Sequence, residues 1–166
     1  FRRAMLHVRE DLGRDDWWFN VWQPDKLERS LAKGDAPAPM VARREEWYLQ
    51  PEAYWHGFDG LVEDYVLIDP IKVTLLTPGL SISGEVAEHG IPAAVLSKFL
   101  WTRGITVEKT NLYSVLFLFS MGITKGKWST LVTELMAFKE LYDQNPPLSP
   151  VLPDLAPDYG AIFAGS

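Results

Sequence analysis

The sequence predicts an α+β fold: a small, mainly antiparallel sheet with helices on one face. A chain of 166 residues with 47% hydrophobic content is long enough to bury the core of one domain. Its hydrophobic patterns follow the order helix, strand, surface excursion, strand, helix, hairpin and helix. Strands that do not alternate regularly with helices favour this layered fold over a doubly wound parallel sheet.

The first third of the chain predicts one helix and one strand. Apolar side chains recur at near-helical spacing over residues 1–12, which is typical of an amphipathic helix. Residues 17–22, WWFNVW, are aromatic and β-branched and predict a strand that stops before Pro24. Residues 24–46 are charged and contain several Pro and Gly residues, so we expect a surface excursion with few core residues.

The middle of the chain predicts two short strands. Residues 66–68 and 71–77 are β-prone, and Pro70 separates them. The Pro78-Gly79 pair predicts a turn that closes the second strand.

A second helix and a hairpin follow. Pro92 suits the first turn of a helix, and Gly104 suits its C-terminal cap. Residues 105–109 and 114–120 are strand-like runs around a short turn, which predicts an antiparallel hairpin.

The last part of the chain predicts a long helix and a tail. Thr124 can cap a helix that ends near Asn145, because the two prolines that follow cannot continue it. The residues beyond contain several more prolines, and we expect them to run extended. The sequence therefore predicts a small α+β domain over residues 1–145 and a Pro-rich, extended tail over residues 146–166.

The composition excludes several kinds of site. Without cysteine the chain has no disulfide, thiolate metal site or cysteine nucleophile, which fits a reducing cytosol and predicts a cytoplasmic protein. The net charge of -6, with no long basic stripe, argues against nucleic acid as a partner. No apolar run could span a membrane, and the three histidines lack the spacing of metal ligands. Since the first residue is Phe1, we expect a piece of a longer protein.

Three residues outside the hairpin are candidates for a site or an interface: Trp55, His56 and Thr77. His56 lies in YWHGF, where a histidine can act in catalysis or can be packed and hydrogen-bonded in an interface. Packing is the simpler interpretation for Trp55 and the other tryptophans. Seven tryptophans in one small domain nonetheless predict association with another protein surface.

Glu108 is the most specific candidate. In a strand, Ile105 and Val107 would face one way and Glu108 the other. One interpretation is a solvated acid on the outer face, since Glu is almost never fully buried without a partner. The other is an anion at the sheet edge that receives a cationic group, which a desolvated carboxylate would select strongly over a neutral analogue.

Several motifs resemble those of the bacterial Orn/Lys/Arg decarboxylase family. The resemblance runs from the first helix into the Pro-rich tail, with gaps in the excursion, and motifs of this length in the same order are far more specific than any one alone. They are WHGF (55–58), DPIKVTLLTPG (69–79), GIPAAVLSKFL (90–100), VEKT (107–110) and LFLFSMGITKGKW (116–128).

The resemblance implies a fold-type-I enzyme that uses pyridoxal 5'-phosphate to release CO2 from basic amino acids. It implies that this chain is the small domain that follows the cofactor-binding domain, and that the tail over residues 146–166 leads toward a further C-terminal domain. In this family the Schiff-base lysine, the aspartate partner of the pyridine nitrogen and the histidine stacked on the ring belong to that preceding domain, and no stretch of this chain matches them. We therefore expect no catalytic residue and no activity in this chain alone, and assembly as a homo-oligomer.

The resemblance also gives Glu108 a role. Its position in lysine-type members resembles a substrate-recognition acid near the distal ammonium, which favours lysine as the substrate, with ornithine next. GKW (126–128) and LYD (141–143) look more like arginine-type members, so the choice among the three amino acids stays open. The alternative function is a non-catalytic binding or scaffold module that keeps the small-domain fold.

Overall fold

The computed structural model describes residues 1–13, 17–32 and 43–152. None of the described helices is long and apolar enough to cross a membrane. The elements in chain order are helix α1 (Arg2–Asp11), strand β1 (Asn20–Val21), helix α2 (Asp25–Ala32), a 3-10 turn (Arg44–Trp47), strand β2 (Lys72–Leu76), helix α3 (Ala93–Thr102), strands β3 (Lys109–Thr110) and β4 (Ser114–Leu118), and helices α4 (Lys125–Gln144) and α5 (Leu148–Val151).

The four strands form one antiparallel sheet in the order β1-β2-β4-β3. At its centre, Val73 pairs with Phe117 and Leu75 pairs with Val115. These four side chains are buried on one face, because residues two apart in a strand share a face. Buried residues of α1, α3 and α4 belong to the same core cluster as these four. The predicted α+β fold, with helices packed on one side of an antiparallel sheet, is therefore confirmed.

The other side of the sheet, here called the open face, is only partly covered. Leu118 is 42% exposed, and Thr74 and Leu116 are half-buried. The residue pairs that alternate with the core pairs lie on this face: Lys72 with Leu118, Thr74 with Leu116 and Leu76 with Ser114.

The end of β2 meets the segment before α3 in a tight junction. The Ile91 N–H donates to the Pro78 carbonyl at 2.8 Å, and the Ala87 N–H donates to the Gly79 carbonyl at 2.9 Å. A Cβ added at Gly90 would lie 2.5 Å from the Gly79 Cα and 2.8 Å from the Tyr113 ring. Glycine at this position therefore allows two backbone segments to touch. The junction joins two of the motifs, the end of DPIKVTLLTPG and the start of GIPAAVLSKFL, with the turn of the hairpin at Tyr113.

The predicted excursion over residues 24–46 is wrong in its first part. Helix α2 begins right after Pro24, and Leu27 on it is fully buried. The helical pattern of α2 spans only eight residues, about two turns, and the Pro- and Gly-rich composition of the residues that follow outweighed it in the prediction. Residues 33–42 lie outside the described ranges.

Other predicted elements occur with different limits. β1 is two residues long, because Trp17 and Phe19 before it are buried in the core and do not pair in the sheet. Of residues 66–68, only Leu67 forms an isolated bridge, with Tyr48, so no strand develops there. The tail does not run extended at its start, since α5 forms a single helical turn whose last residue, Val151, packs against the core cluster.

Candidate functional site

Glu108 lies at the edge of the sheet, next to β3. Ile105 and Val107 are half-buried against the core, whereas Thr106 and Glu108 are exposed, so the predicted alternation is confirmed. The regular strand begins only at Lys109 and not at Ile105. Among the described residues, no side chain hydrogen-bonds or forms an ion pair with the Glu108 carboxylate.

The backbone turns Glu108 toward the open face through a local irregularity. Lys109 faces Leu116 in the register, yet the Glu108 N–H also donates to the Leu116 carbonyl, at 2.8 Å. Two residues of the edge strand thus face one residue of β4, which is the geometry of a β-bulge. Thr110, next along, faces the helices and bonds Ser97 of α3 through their hydroxyls, 2.7 Å apart. Glu108 and Lys109 therefore lie side by side at the open face.

His56 is engaged at both ring nitrogens by its own loop. Its Nδ1 accepts the Phe58 N–H at 2.9 Å, so the ring must donate from Nε2 to the Gln50 carbonyl, also at 2.9 Å. The ring also stacks on Phe58, with centroids 5.1 Å apart. In this neutral tautomer both ring nitrogens of His56 are hydrogen-bonded, so neither is free for proton transfer. The structure therefore indicates that His56 stabilises its own loop.

Replacing His56 should therefore weaken the fold. We expect His56→Ala to lower the free energy of unfolding by about 1–2 kcal/mol, because it removes two hydrogen bonds of about 1 kcal/mol each. Urea unfolding followed by tryptophan fluorescence measures this change. His89→Ala is the matched control, because the His89 side chain is 91% exposed. Equal effects of the two substitutions would contradict the structural role of His56.

Trp55 is buried and forms one wall of a hollow on the open face. Its carbonyl accepts the Trp22 indole N–H at 2.8 Å, and the two rings meet edge to face, 4.6 Å apart. The hollow has a volume of about 300 Å³, with Thr74 and Ser114 among its lining residues. Neither of these two was a sequence candidate, although both alternate with core residues along their strands, a signal that could have placed them on this face.

The candidates do not form one cluster. His56 contacts Trp55, and Trp55 contacts Trp22. The Trp22 N–H extends the pairing of β1 by donating to the Thr74 carbonyl at 2.9 Å. Glu108 lies beside β3, at the opposite edge of the sheet. Three strand spacings of about 4.8 Å place these two edges about 14 Å apart. Both groups of candidates nevertheless lie on the open face of the sheet.

Thr77 is a structural residue of the tight junction. It is 1% exposed, its Oγ1 donates to the Ile91 carbonyl at 2.8 Å, and its N–H donates to the Tyr113 carbonyl at 3.0 Å. Its hydroxyl is thus occupied in holding the segment before α3 against the end of β2.

We expect Thr77→Val to lower the free energy of unfolding by about 1–3 kcal/mol, because it leaves the buried Ile91 carbonyl without its donor. Thr77→Ser keeps the hydroxyl and should cost less than Thr77→Val, and urea midpoints compare the two. A valine variant as stable as the serine variant would show that the hydroxyl does not hold the junction.

Comparison with known proteins identifies the family. The family model "Orn/Lys/Arg decarboxylase, major domain" matches residues 2–127. The chain belongs to the Orn/Lys/Arg decarboxylase family. The resemblance carried by the sequence motifs is thereby confirmed.

Individual family members give the extent of the similarity. The chain is 58% identical over 165 residues to lysine decarboxylase LdcA of Pseudomonas aeruginosa, covering 99% of the chain and 21% of that relative. It is 36% identical over 171 residues to the biodegradative arginine decarboxylase of Escherichia coli, covering 99% of the chain and 23% of the relative. The solved structure of lysine decarboxylase A from Pseudomonas aeruginosa matches with a TM-score of 0.78 and 59% identity, over 92% of the chain and 19% of that structure. The chain spans about a fifth of the length of these relatives.

Proposed function

We propose that this chain is part of a pyridoxal-phosphate-dependent decarboxylase that releases CO2 from a basic amino acid, with lysine favoured and ornithine or arginine next. The observation that carries the proposal is the 58% identity, over 99% of the chain, to a lysine decarboxylase. The arginine decarboxylase is 36% identical over the same share of the chain. The difference in identity favours lysine.

The described residues do not fit pyridoxal phosphate by themselves. The cofactor needs a lysine for its aldehyde and an acid for its ring nitrogen. Every lysine in the described ranges is exposed or half-buried, and no carboxylate there is buried. We therefore assign the cofactor to residues outside the described part, in a domain upstream of this one, and keep residues 1–145 as the small domain with 146–166 as its tail.

The role we propose for this chain is recognition of the substrate. Glu108 offers an unpaired carboxylate at the open face, and a lysine substrate carries a distal ammonium that would pair with it. Because Glu108 is exposed in this chain, strong selectivity requires other parts of the complete protein to cover it and exclude water. Holding the far end of the amino acid fixes its orientation for the reaction at the other end.

We also propose a cytoplasmic homo-oligomer that binds neither membranes nor nucleic acid. The net charge of -6 and the absence of cysteine support the proposed cytoplasmic location without a nucleic-acid partner. The exposed aromatic side chains support assembly into a homo-oligomer. Trp55, His56 and Thr77 contribute to this protein as packing residues.

A non-catalytic scaffold that keeps the small-domain fold is the second candidate function, and only the absence of a cofactor site in the described residues favours it. Reading the codons upstream of Phe1 separates the two. A Ser-x-His-Lys motif there supports the enzyme, and an in-frame start codon immediately before Phe1 rules it out.

A further inference from the structure

A cationic cleft opens between α1 and the start of α4. It has a volume of about 1070 Å³, and Trp47, Phe119 and Trp128 supply part of its apolar lining. Its charged lining comes from Arg3 and Lys125, which form no ion pair with described residues, and from the buried Arg2; none of the described residues that line it is acidic. The cleft therefore combines apolar surface with positive charge that no described carboxylate pairs.

Arg2 is the clearest sign of this imbalance. Its guanidinium donates to two neutral acceptors, Gln23 Oε1 and the Lys72 carbonyl, both at 2.9 Å. Burial lowers the pKa of Arg2 to about 10. A buried cation without an anion is costly, and a negative group brought to the cleft would reduce that cost.

Residues 51–65, here called the acidic lobe, have the opposite character. The segment PEAYWHGFDGLVEDY contains no Lys or Arg, and its four carboxylates are exposed and form no ion pair with described residues. Large apolar and aromatic side chains are exposed in the same segment, which marks an interaction surface. They are Tyr54 (58% exposed), Phe58 (50%), Val62 (66%) and Tyr65 (78%).

The acidic lobe lies beside the cationic cleft. Trp47, just before the lobe, lines the cleft, and its ring centroid is 5.4 Å from the Arg2 guanidinium. The two chain ends of the lobe are held there, since the Ile68 N–H donates to the Trp47 carbonyl at 3.0 Å and the Leu49 N–H donates to the Val66 carbonyl at 2.8 Å. The ends of the acidic lobe thus lie next to the positive apolar cleft.

We propose that a second copy of this chain docks here, with the acidic lobe of each copy in the cationic cleft of the other. Two complementary patches side by side make the surface self-complementary, as a twofold interface requires. The proposal deepens the proposed homo-oligomer by naming its contact surfaces.

The size of the cleft supports a protein occupant over a single small molecule. Small-molecule pockets usually measure about 300–1,000 Å³ and bury most of their ligand. At about 1070 Å³ this cleft lies at the upper end of that range, and an amino-acid substrate would leave most of it empty. An aromatic segment with exposed carboxylates fits both its charge and its apolar lining.

Charge exchange in the complete protein tests this interface. We expect Asp59→Lys with Glu63→Lys, or Arg3→Glu with Lys125→Glu, to raise the dissociation constant for assembly at least about tenfold, measured by sedimentation equilibrium. All four substitutions together should restore the constant to within about threefold of the unmodified protein. Glu85→Lys with Glu88→Lys is the matched control, because it makes the same charge change in an exposed turn outside both surfaces.

Two results would overturn the interface: lobe variants that assemble like the control, or a fourfold variant that assembles no better than either pair. The second result would mean that the two surfaces meet some partner other than each other. Far-UV circular dichroism confirms that each variant folds. Lysine decarboxylation by the unmodified protein is measured in parallel, so that a failure of the proposed function is seen separately from a failure of the interface.

Discussion

Glu108→Gln in the complete enzyme should lower kcat/KM for the preferred basic amino acid at least about tenfold, which corresponds to about 1.4 kcal/mol. Gln keeps the size of the side chain but removes its negative charge. The distal ammonium of the substrate would then lose its counterion while still being taken out of water. Steady-state kinetics on lysine, ornithine and arginine measure the loss and show whether the order of preference changes.

The control for this experiment is Glu88→Gln, an exposed glutamate in a different part of the domain. It should leave kcat/KM unchanged, because no strand directs it toward the open face. If Glu108→Gln leaves the specificity across the three amino acids unchanged, Glu108 is a solvated surface acid and does not bind the substrate.

Gly90→Ala should lower the free energy of unfolding by about 3 kcal/mol or more, because the junction has no room for a methyl group. The added Cβ would lie 2.4 Å from the Pro78 carbonyl oxygen and 2.5 Å from the Gly79 Cα. Both contacts are with backbone, so no side-chain rotation can relieve them. The turn after β2 and the segment before α3 would have to move apart, and urea unfolding of the 166-residue chain measures the cost.

Gly122→Ala is the matched control, since an added Cβ there meets nothing within 4 Å. Removing backbone freedom from the unfolded chain should make this variant neutral or more stable by about 0.4–1 kcal/mol. A Gly90→Ala variant as stable as Gly122→Ala would mean that the two motifs and the hairpin turn do not meet as tightly as the structure shows.

The elements that the sequence predicted well are those with sustained periodicity. α1, α3 and α4 repeat their apolar residues over 10 or more positions, and each lies where the pattern placed it. α2 has only eight residues and lies beside a Pro- and Gly-rich stretch. Its short helical repeat of apolar residues was therefore overlooked in favour of a loop. β1 was predicted too long because Trp17 and Phe19 are buried by packing and not by strand pairing, a difference that aromatic content cannot reveal.

The candidate site was predictable only in part. Alternation correctly made Glu108 an outward-facing residue, but the bulge that sets it beside Lys109 depends on a hydrogen bond to β4, which no local pattern encodes. His56 is similar: its residue type suggested chemistry, whereas its two hydrogen bonds within the loop make it a structural residue. The cleft was missed because its charges come from segments far apart in the sequence, Arg2 and Arg3 in α1 and Lys125 in α4.

The most direct test of the central proposal is a CO2-release assay of the complete protein on lysine, ornithine and arginine, with pyridoxal phosphate supplied. We predict release from at least one of the three, with lysine the preferred substrate. Absence of CO2 release from all three amino acids by a folded protein would contradict the proposal that this chain belongs to an active decarboxylase.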